Sequence, residues 1–463
     1  MIKLRKTAST LFVLLFAGLS SGSANVRLAA EPQTVATQSS RSTQHIENSI
    51  RTDDHEWHWR HSDNGIGLDV RIRGKVEFAD DYSDITSISD DGSFRVTDER
   101  GGVTRKFEAK ATSSGIQRSY WVNGASHEFD QQAKTWLAKV LDDSVRQGGY
   151  DAGPRVRRIL KQSGPHGVLQ EITRLKSDYV KRIYFDELIE SGKLDDVTVR
   201  QVLRQAASEI QSDYEKAQLL IRMSKDYLAN DTQRTIYLEG VNTLHSDYEK
   251  GRTLGALLKK GSLSQENVLF ALRSVKSISS DYERAQLLIK IADGFTLDES
   301  GRAAYLEAAA TLKSDYEKGR VFSAFLKKDR IDKADLLFVL KSAPGISSDY
   351  ERAQLLIKIT SESTLDEPMR VAYVDAVATI QSDYEKGRAL AAFLNKGESQ
   401  KETLLLAVKS ASNISSDYEK AQFLIKVAAA GSSDESVRNA LVNAARTISS
   451  EHERGRVLSA VFK

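Results

Sequence analysis

Residues 278–292 read Ile278-Ser279-Ser280-Asp281-Tyr282-Glu283-Arg284-Ala285-Gln286-Leu287-Leu288-Ile289-Lys290-Ile291-Ala292, and this stretch decides the fold because it returns along the chain. The element Ser-Asp-Tyr-Glu-Lys/Arg recurs with its Asp at 213, 247, 281, 315, 349, 383 and 417, a constant 34-residue period. A variant start lies at Asp178, and a diverged copy replaces Asp-Tyr by Glu451-His452. Fixed self-similarity at this period is the signature of a solenoid.

The motif reads as a helix start. Ser at the N-cap with Glu three residues later predicts a capping box at Ser212/Glu215, Ser280/Glu283, Ser314/Glu317 and Ser348/Glu351. Asp in the first turn suits the positive end of the helix dipole. Tyr282, Ala285, Leu288 and Ile289 follow at helical spacing and predict an apolar stripe. A second helix precedes each motif, as at Tyr373, Ala376, Val377 and Ile380, with its start marked by Asp366-Glu367-Pro368. Two helices in every repeat predict a mainly α architecture, an α-solenoid.

The sequence period is double. Ala-Gln follows the motif at 217, 285, 353 and 421, whereas Gly-Arg follows at 251, 319, 387 and 455, giving a 68-residue super-repeat. Glycine costs about 1 kcal/mol of helix propensity against Ala, so its recurrence predicts a close crossing at these positions. A final copy that loses the motif's packing residues reads as a cap.

Upstream, the pattern has period two. Leu68, Val70, Ile72, Val76 and Phe78 alternate with Asp69, Arg71, Arg73, Lys75 and Glu77, which predicts a strand with one apolar face. Phe94 with Val96 and Val103 with Phe107 repeat the signal, and Asn64-Gly65, Asp91-Gly92 and Asn123-Gly124 are turn dipeptides. All four Trp (57, 59, 121, 136) fall here. We expect a small antiparallel β-rich domain over 55–130, a connecting helix over 131–153 and the solenoid over 154–463. Residues 25–54, rich in Ser, Thr, Gln and Ala, read as a disordered tether. Lys3, Arg5 and Lys6, the apolar run Leu11–Leu19 and Ser21-Gly22-Ser23-Ala24 predict a cleaved signal peptide over 1–24. The expected location is therefore periplasmic or secreted, with no membrane span after cleavage.

Composition narrows the function. A formal net charge of +2 offers no field for nucleic acid. The absence of Cys excludes disulfides, thiolate metal sites and a cysteine nucleophile. The cluster His55-Glu56-Trp57-His58-Trp59-Arg60-His61 is one residue short of a zincin helix and reads as an aromatic strand, with a metal site as the lesser alternative. No catalytic constellation is complete, so a hydrolase sited in the β domain is the least favoured class, and no enzyme activity, cofactor or metal is expected.

Gly74 to Phe78, Ile85-Thr86-Ser87-Ile88, Val96-Thr97-Asp98-Glu99-Arg100-Gly101-Gly102 and Ser177-Asp178-Tyr179-Val180-Lys181-Arg182 together resemble the extracytoplasmic part of BlaR-type (antirepressor) membrane metallopeptidases and their orphan relatives. The resemblance covers roughly residues 56 to 463. The peptidase's His-Glu-x-x-His and transmembrane bundle are missing, so the resemblance implies a sensing or interaction role, such as an accessory partner of an envelope metallopeptidase. In architecture alone the repeats are HEAT-like or tetratricopeptide-like. The leading expectation is a non-enzymatic protein-interaction scaffold holding a protein or peptide partner. Its candidate contacts are Tyr214, Tyr248, Tyr282, Tyr316, Tyr350, Tyr384 and Tyr418 with Arg252, Arg320 and Arg388. Burial statistics favour the tyrosines as core residues and the arginines as solvated ones.

Overall fold

The computed structural model describes residues 46–52, 56–63, 66–192, 194–327, 331–394 and 400–463. The expected leader, most of the expected tether, His55 and Asn64-Gly65 lie outside the described residues. Between Asp142 and Asp143 the chain divides into two compact units, a point inside the expected connecting segment.

In the first unit the described strands are β1 Ile46–Thr52, β2 Glu56–Asp63, β3 Ile66–Arg73, β4 Val76–Phe78, β5 Ile85–Ile88, β6 Ser93–Arg100, β7 Val103–Thr112, β8 Gly115–Val122 and β9 Ala125–His127. Seven of them form one antiparallel sheet in the order β1-β2-β3-β6-β7-β8-β9, and β4 pairs with β5 apart from it. β1 falls in the stretch expected as tether, where it pairs with β2 over its whole length. The turn at Asn123-Gly124 takes positive φ at both residues, as does Gly101-Gly102, the geometry that matches the twist of paired strands.

Alternation sorts the sheet into faces. Trp59, Leu68, Val70, Ile72, Phe94, Val96, Phe107, Ala109 and Tyr120 are buried on one side. Phe94 and Phe107 lie 6.2 Å apart, and Phe107 meets Phe129 at 5.0 Å. Helix α1 (Gln131–Arg146) buries Ala133, Leu137, Val140 and Leu141. Its Trp136 packs 5.5 Å from the Tyr120 ring and donates from Nε1 to the buried Asp98 carboxylate at 2.7 Å. Burying an indole without a partner is costly, and the aspartate removes that cost. Of the histidine cluster, His61 shares strand parity with Trp57 and Trp59, while His58 faces the opposite side and meets Asp69 at 3.0 Å.

The second unit is a helical array. It opens with α2 (Ala152–Ile172), broken at Gly164, which has φ +65° ahead of Pro165. The motif helices are α3 (Asp178–Glu190), α5 (Asp213–Asp226), α7 (Asp247–Leu258), α9 (Asp281–Gly294), α11 (Asp315–Leu326), α13 (Asp349–Glu362), α15 (Asp383–Leu394), α17 (Asp417–Gly431) and α19 (Glu451–Val461). The helices between them are α4 (Asp196–Glu209), α6 (Asp231–Asn242), α8 (Gln265–Lys276), α10 (Glu299–Ala310), α12 (Lys333–Ser342), α14 (Glu367–Ala378), α16 (Lys401–Ala411) and α18 (Glu435–Ala445). Motif helices pack on motif helices and intervening helices on intervening helices, one repeat apart. One continuous hydrophobic core runs through the array, as neighbour-only packing requires.

Candidate functional site

Each motif residue has its own structural task, and the first is the cap. The Ser hydroxyl accepts from the N3 backbone, as Ser314 does from Glu317 at 3.3 Å and Ser348 from Glu351 at 3.3 Å. The reciprocal arm of the expected capping box is not made at Ser212/Glu215, Ser280/Glu283, Ser314/Glu317 or Ser348/Glu351, although Asn230/Gln233 makes both arms.

Its absence has a local cause. The N-cap N–H that the glutamate would take is already held by the aspartate of the preceding repeat. Asp281 Oδ2 accepts from Lys313 N at 2.7 Å and Ser314 N at 2.6 Å. Asp213 takes His245 and Ser246 at 2.8 and 2.6 Å, and Asp178 takes Gln211 and Ser212 at 2.9 and 2.7 Å. Asp247, Asp349, Asp383 and Asp417 do the same one repeat on, and Asp315 takes Ser348 N alone. Helix-dipole complementarity accounts for an acidic residue in one first turn; clasping the next helix start explains its recurrence at every repeat better.

Four of the glutamates freed from capping, Glu215, Glu249, Glu317 and Glu385, pair with arginines instead. Glu215 is the clearest correction: Ser212 accepts from its backbone N–H as expected, but the carboxylate does not complete the capping box and is buried, with 1% of the residue exposed. With Ser212 N taken by Asp178, the Glu215 carboxylate turns away from its own helix start and instead accepts from Arg182 Nε on α3, the preceding motif helix. A buried carboxylate needs such a cation partner. Glu249, Glu317 and Glu385 turn instead to the arginine three residues on in their own helix.

The basic residue is a second clamp. Lys318 Nζ donates to Gly345 O at 3.0 Å and Lys386 to Asn413 O at 2.6 Å. Lys216 donates to Thr243 Oγ1 at 2.9 Å, and Arg284 to Ala308 O at 3.0 Å. A cation is thereby placed where an intervening helix ends and its carbonyls lack partners. Burial pulls the Lys216 ammonium and the Arg284 guanidinium below their usual values, only partly countered by Asp213 and Asp281.

The close helix crossing expected at Gly251, Gly319, Gly387 and Gly455 is not found: the first three glycines face the ends of flexible glutamate side chains, and Gly455 faces open space. A Cβ at Gly319 or Gly387 would stand 3.4 Å from the carboxylate oxygen of Glu351 or Glu419, and one at Gly251 2.6 Å from that of Glu283. Apart from that oxygen, nothing outside their own helix among the described residues lies within 4 Å of a Cβ at Gly319 or Gly387.

What remains is the tyrosine, and here the expectation of a core residue fails. Tyr214, Tyr248, Tyr282, Tyr316, Tyr350, Tyr384 and Tyr418 are all exposed, between 50% and 60%. They sit at the second helical position, where the side chain points back past the helix start instead of into the layer. A different set fills the core. Tyr237, Tyr305 and Tyr373, one super-repeat apart, are fully buried and donate to Thr253 O, Val321 O and Ala389 O at 2.9, 3.0 and 2.8 Å. Burial drives their phenols well above the usual range. The super-repeat spacing of these tyrosines was the available signal.

In alternate repeats the exposed ring carries a guanidinium. Arg252 lies 5.5 Å over Tyr248, Arg320 5.5 Å over Tyr316 and Arg388 5.8 Å over Tyr384. Each arginine is held from the other side by the Glu three residues before it, at 2.7, 2.8 and 2.7 Å. These arginines are therefore anchored, not free in solvent. The result is an edge of rings and oriented guanidinium groups repeating every two helix pairs.

No family model matches the chain, and no curated protein matches it. Among solved structures it is similar to a crystal structure described as an engineered protein. That match has 17% identity, covers 73% of this chain and 97% of the other, and has a TM-score of 0.31, too loose to bear on fold or function. Among the described residues no three His, Asp or Glu side chains converge as metal ligands, and no helix is long and apolar enough to cross a membrane.

Proposed function

We propose that the protein is an exported, non-enzymatic interaction scaffold that holds an extended segment of a partner protein along the tyrosine edge of its helical array. The observation that supports this reading is the recurrence of an exposed Tyr in seven successive repeats. Ser, Asp and Lys/Arg recur because they cap and clasp, but nothing in the packing asks for this ring. Tyrosine gives large contact area at small entropic cost, and both Tyr and Arg are enriched at protein interfaces. Stacking on the ring and pairing with Glu hold each arginine ready, so less rotamer freedom is lost on binding. Export rests on the leader-like start of the sequence.

Site-directed photocrosslinking tests the reading. A photoreactive phenylalanine at Tyr316, Tyr350 or Tyr384 should capture the same partner from an envelope extract. The same probe at Val371, exposed on α14, should capture little. Capture from Val371 with none from the tyrosine positions would overturn the assignment of the edge.

A further inference from the structure

The first unit carries a second candidate surface on the open face of its sheet. In register across the strands, His58 lies beside Arg71, Arg71 beside Arg95, and Arg95 beside Glu108. The next row runs Arg60, Asp69, Thr97, Lys106, and a third pairs Gly67 with Glu99. Between the rows is an open hollow of about 520 Å³, walled by Arg60, Arg71, Arg95 and Lys106 and floored by Gly67 and Thr97.

Arg71 and Arg95 are directly opposed, and like charges in that position destabilise a sheet. Each is turned and held from behind. Arg71 Nε donates to Asp69 Oδ1 at 3.1 Å, and Arg95 Nε to Glu108 Oε1 at 2.6 Å. Asp69 also takes His58 at 3.0 Å and Arg60 at 2.9 Å, and Glu108 takes Lys110 at 2.9 Å. Among the described residues no acceptor takes the terminal amino groups of Arg71 or Arg95, which are each about half exposed. Lys106 has the Trp121 ring at 5.4 Å and no carboxylate partner among them. Two guanidinium forks tethered through Nε, with their outer N–H groups unused, are the donor set for a carboxylate or phosphate oxyanion.

The far end of the hollow has the opposite character. Glu99 is exposed and without a cation partner among the described residues, and the Thr97 hydroxyl lies between it and the arginines. Glu99 lies four steps along the strand from Arg95, about 13 Å at roughly 3.3 Å per step. A ligand that satisfies both ends has an oxyanion on one side and hydroxyl donors on the other. The geometry points to a binding site for an acidic oligosaccharide on this sheet face, with a sugar carboxylate on Arg71 and Arg95 and ring hydroxyls donating toward Thr97 and Glu99.

Calorimetric titration of the full chain with trigalacturonate tests this, with neutral galactotriose and inorganic phosphate as comparison ligands. Trigalacturonate should bind in a salt-sensitive manner and galactotriose should not. Arg71→Gln and Arg95→Gln should each weaken binding at least tenfold. Arg95→Lys, which keeps charge and loses the fork, should fall between wild type and Arg95→Gln. Glu99→Gln should weaken binding several-fold. Thermal melts should show the arginine variants folded, because each removes one member of an opposed like-charge pair. Equal binding of galactotriose, or undiminished binding by the Arg71→Gln/Arg95→Gln double variant, would overturn the site. Phosphate binding as tightly as trigalacturonate would overturn the sugar assignment.

Discussion

Replacing Asp281 by Ala removes the carboxylate that clasps the start of α11. Two backbone donors lose their acceptor, Ser314 N in a half-buried position and Lys313 N at the surface. A hydrogen bond to a charged group contributes about 1.5–3 kcal/mol where water cannot substitute. Water can replace most of the Lys313 bond, so the half-buried Ser314 bond carries the larger share. Asp281 also stands 3.6 Å from the buried Arg284 guanidinium and partly counters its desolvation, so removing it adds to the loss. The expected loss is therefore about 2–3 kcal/mol in urea unfolding, with about half of that for Asp281→Asn, which keeps one acceptor oxygen. Stability in such arrays is a sum of repeat and neighbour terms, so the loss should be local. Amide exchange at Lys313 and Ser314 should accelerate by roughly a hundredfold, at tenfold per 1.4 kcal/mol. Glu451→Ala is the matched control, because Glu451 sits at the same motif position and pairs, among the described residues, with Arg454 alone at 3.9 Å; it should stay within about 0.5 kcal/mol of wild type. If Asp281→Ala costs no more than Glu451→Ala, the clasp is incidental and the recurrence of the aspartate needs another cause.

The two tyrosine sets should separate cleanly. Tyr316→Ala with Tyr384→Ala should change the melting curve little yet remove partner crosslinking, whereas Tyr305→Ala should cost about 3–5 kcal/mol as a large core truncation. Tyr305→Phe should cost about 1 kcal/mol in the same urea melts, by removing one buried hydrogen bond. Gly319→Ala should raise stability by about 0.5–1 kcal/mol through helix propensity, since only the end of the Glu351 side chain lies near; Gly251→Ala should gain less, because Glu283 must swing aside. Acid sensitivity should appear in the sheet unit. Burial pushes the Asp69 carboxyl up, but bonds from His58, Arg71 and Arg60 outweigh it and hold it below the ordinary value. A carboxyl lowered by folding contributes stability that is present above its unfolded pKa of about 3.9 and is lost as pH falls through the lower folded value. The stability gap between wild type and Asp69→Asn should therefore be level above about pH 5 and shrink below about pH 4, as read by denaturant melts across that range.

Much of this architecture was legible in the sequence because repetition multiplies weak signals. One Ser-x-x-Glu is a modest hint, but its return in every repeat marks the helix starts found at Asp213, Asp247, Asp281 and onward. Alternation from Leu68 to Ile72 sorts the sheet faces because strand geometry has a strict period of two. Helical spacing misplaces the exposed tyrosines because it counts residues around an axis and ignores position along it. Tyr282 shares a spacing with Ala285 and Leu288, yet in the first turn it projects beyond the packed layer. Glu215 misleads in a related way: Ser-x-x-Glu predicts a local bond, and only the fold brings Arg182 of the previous repeat within its reach. The Asp clasp was not legible, since its partner amides lie almost a full repeat away and backbone donors leave no mark in sequence. The opposed Arg71 and Arg95 were hidden for the same reason, because their pairing depends on a strand order that skips β4 and β5.

The clasps also give the array a direction in time. Every aspartate reaches forward, so the group that completes a helix start is always contributed by residues made earlier. A chain emerging N-terminus first, from a ribosome or a translocation pore, meets its acceptor already set in the repeat before it. The nucleus of a new helix is its costliest step, and here a finished neighbour lowers that cost for each newcomer. Assembly can then proceed as a zipper closing toward the C-terminus, whereas a chain folding from its C-terminal end would find each helix start still waiting for its clasp.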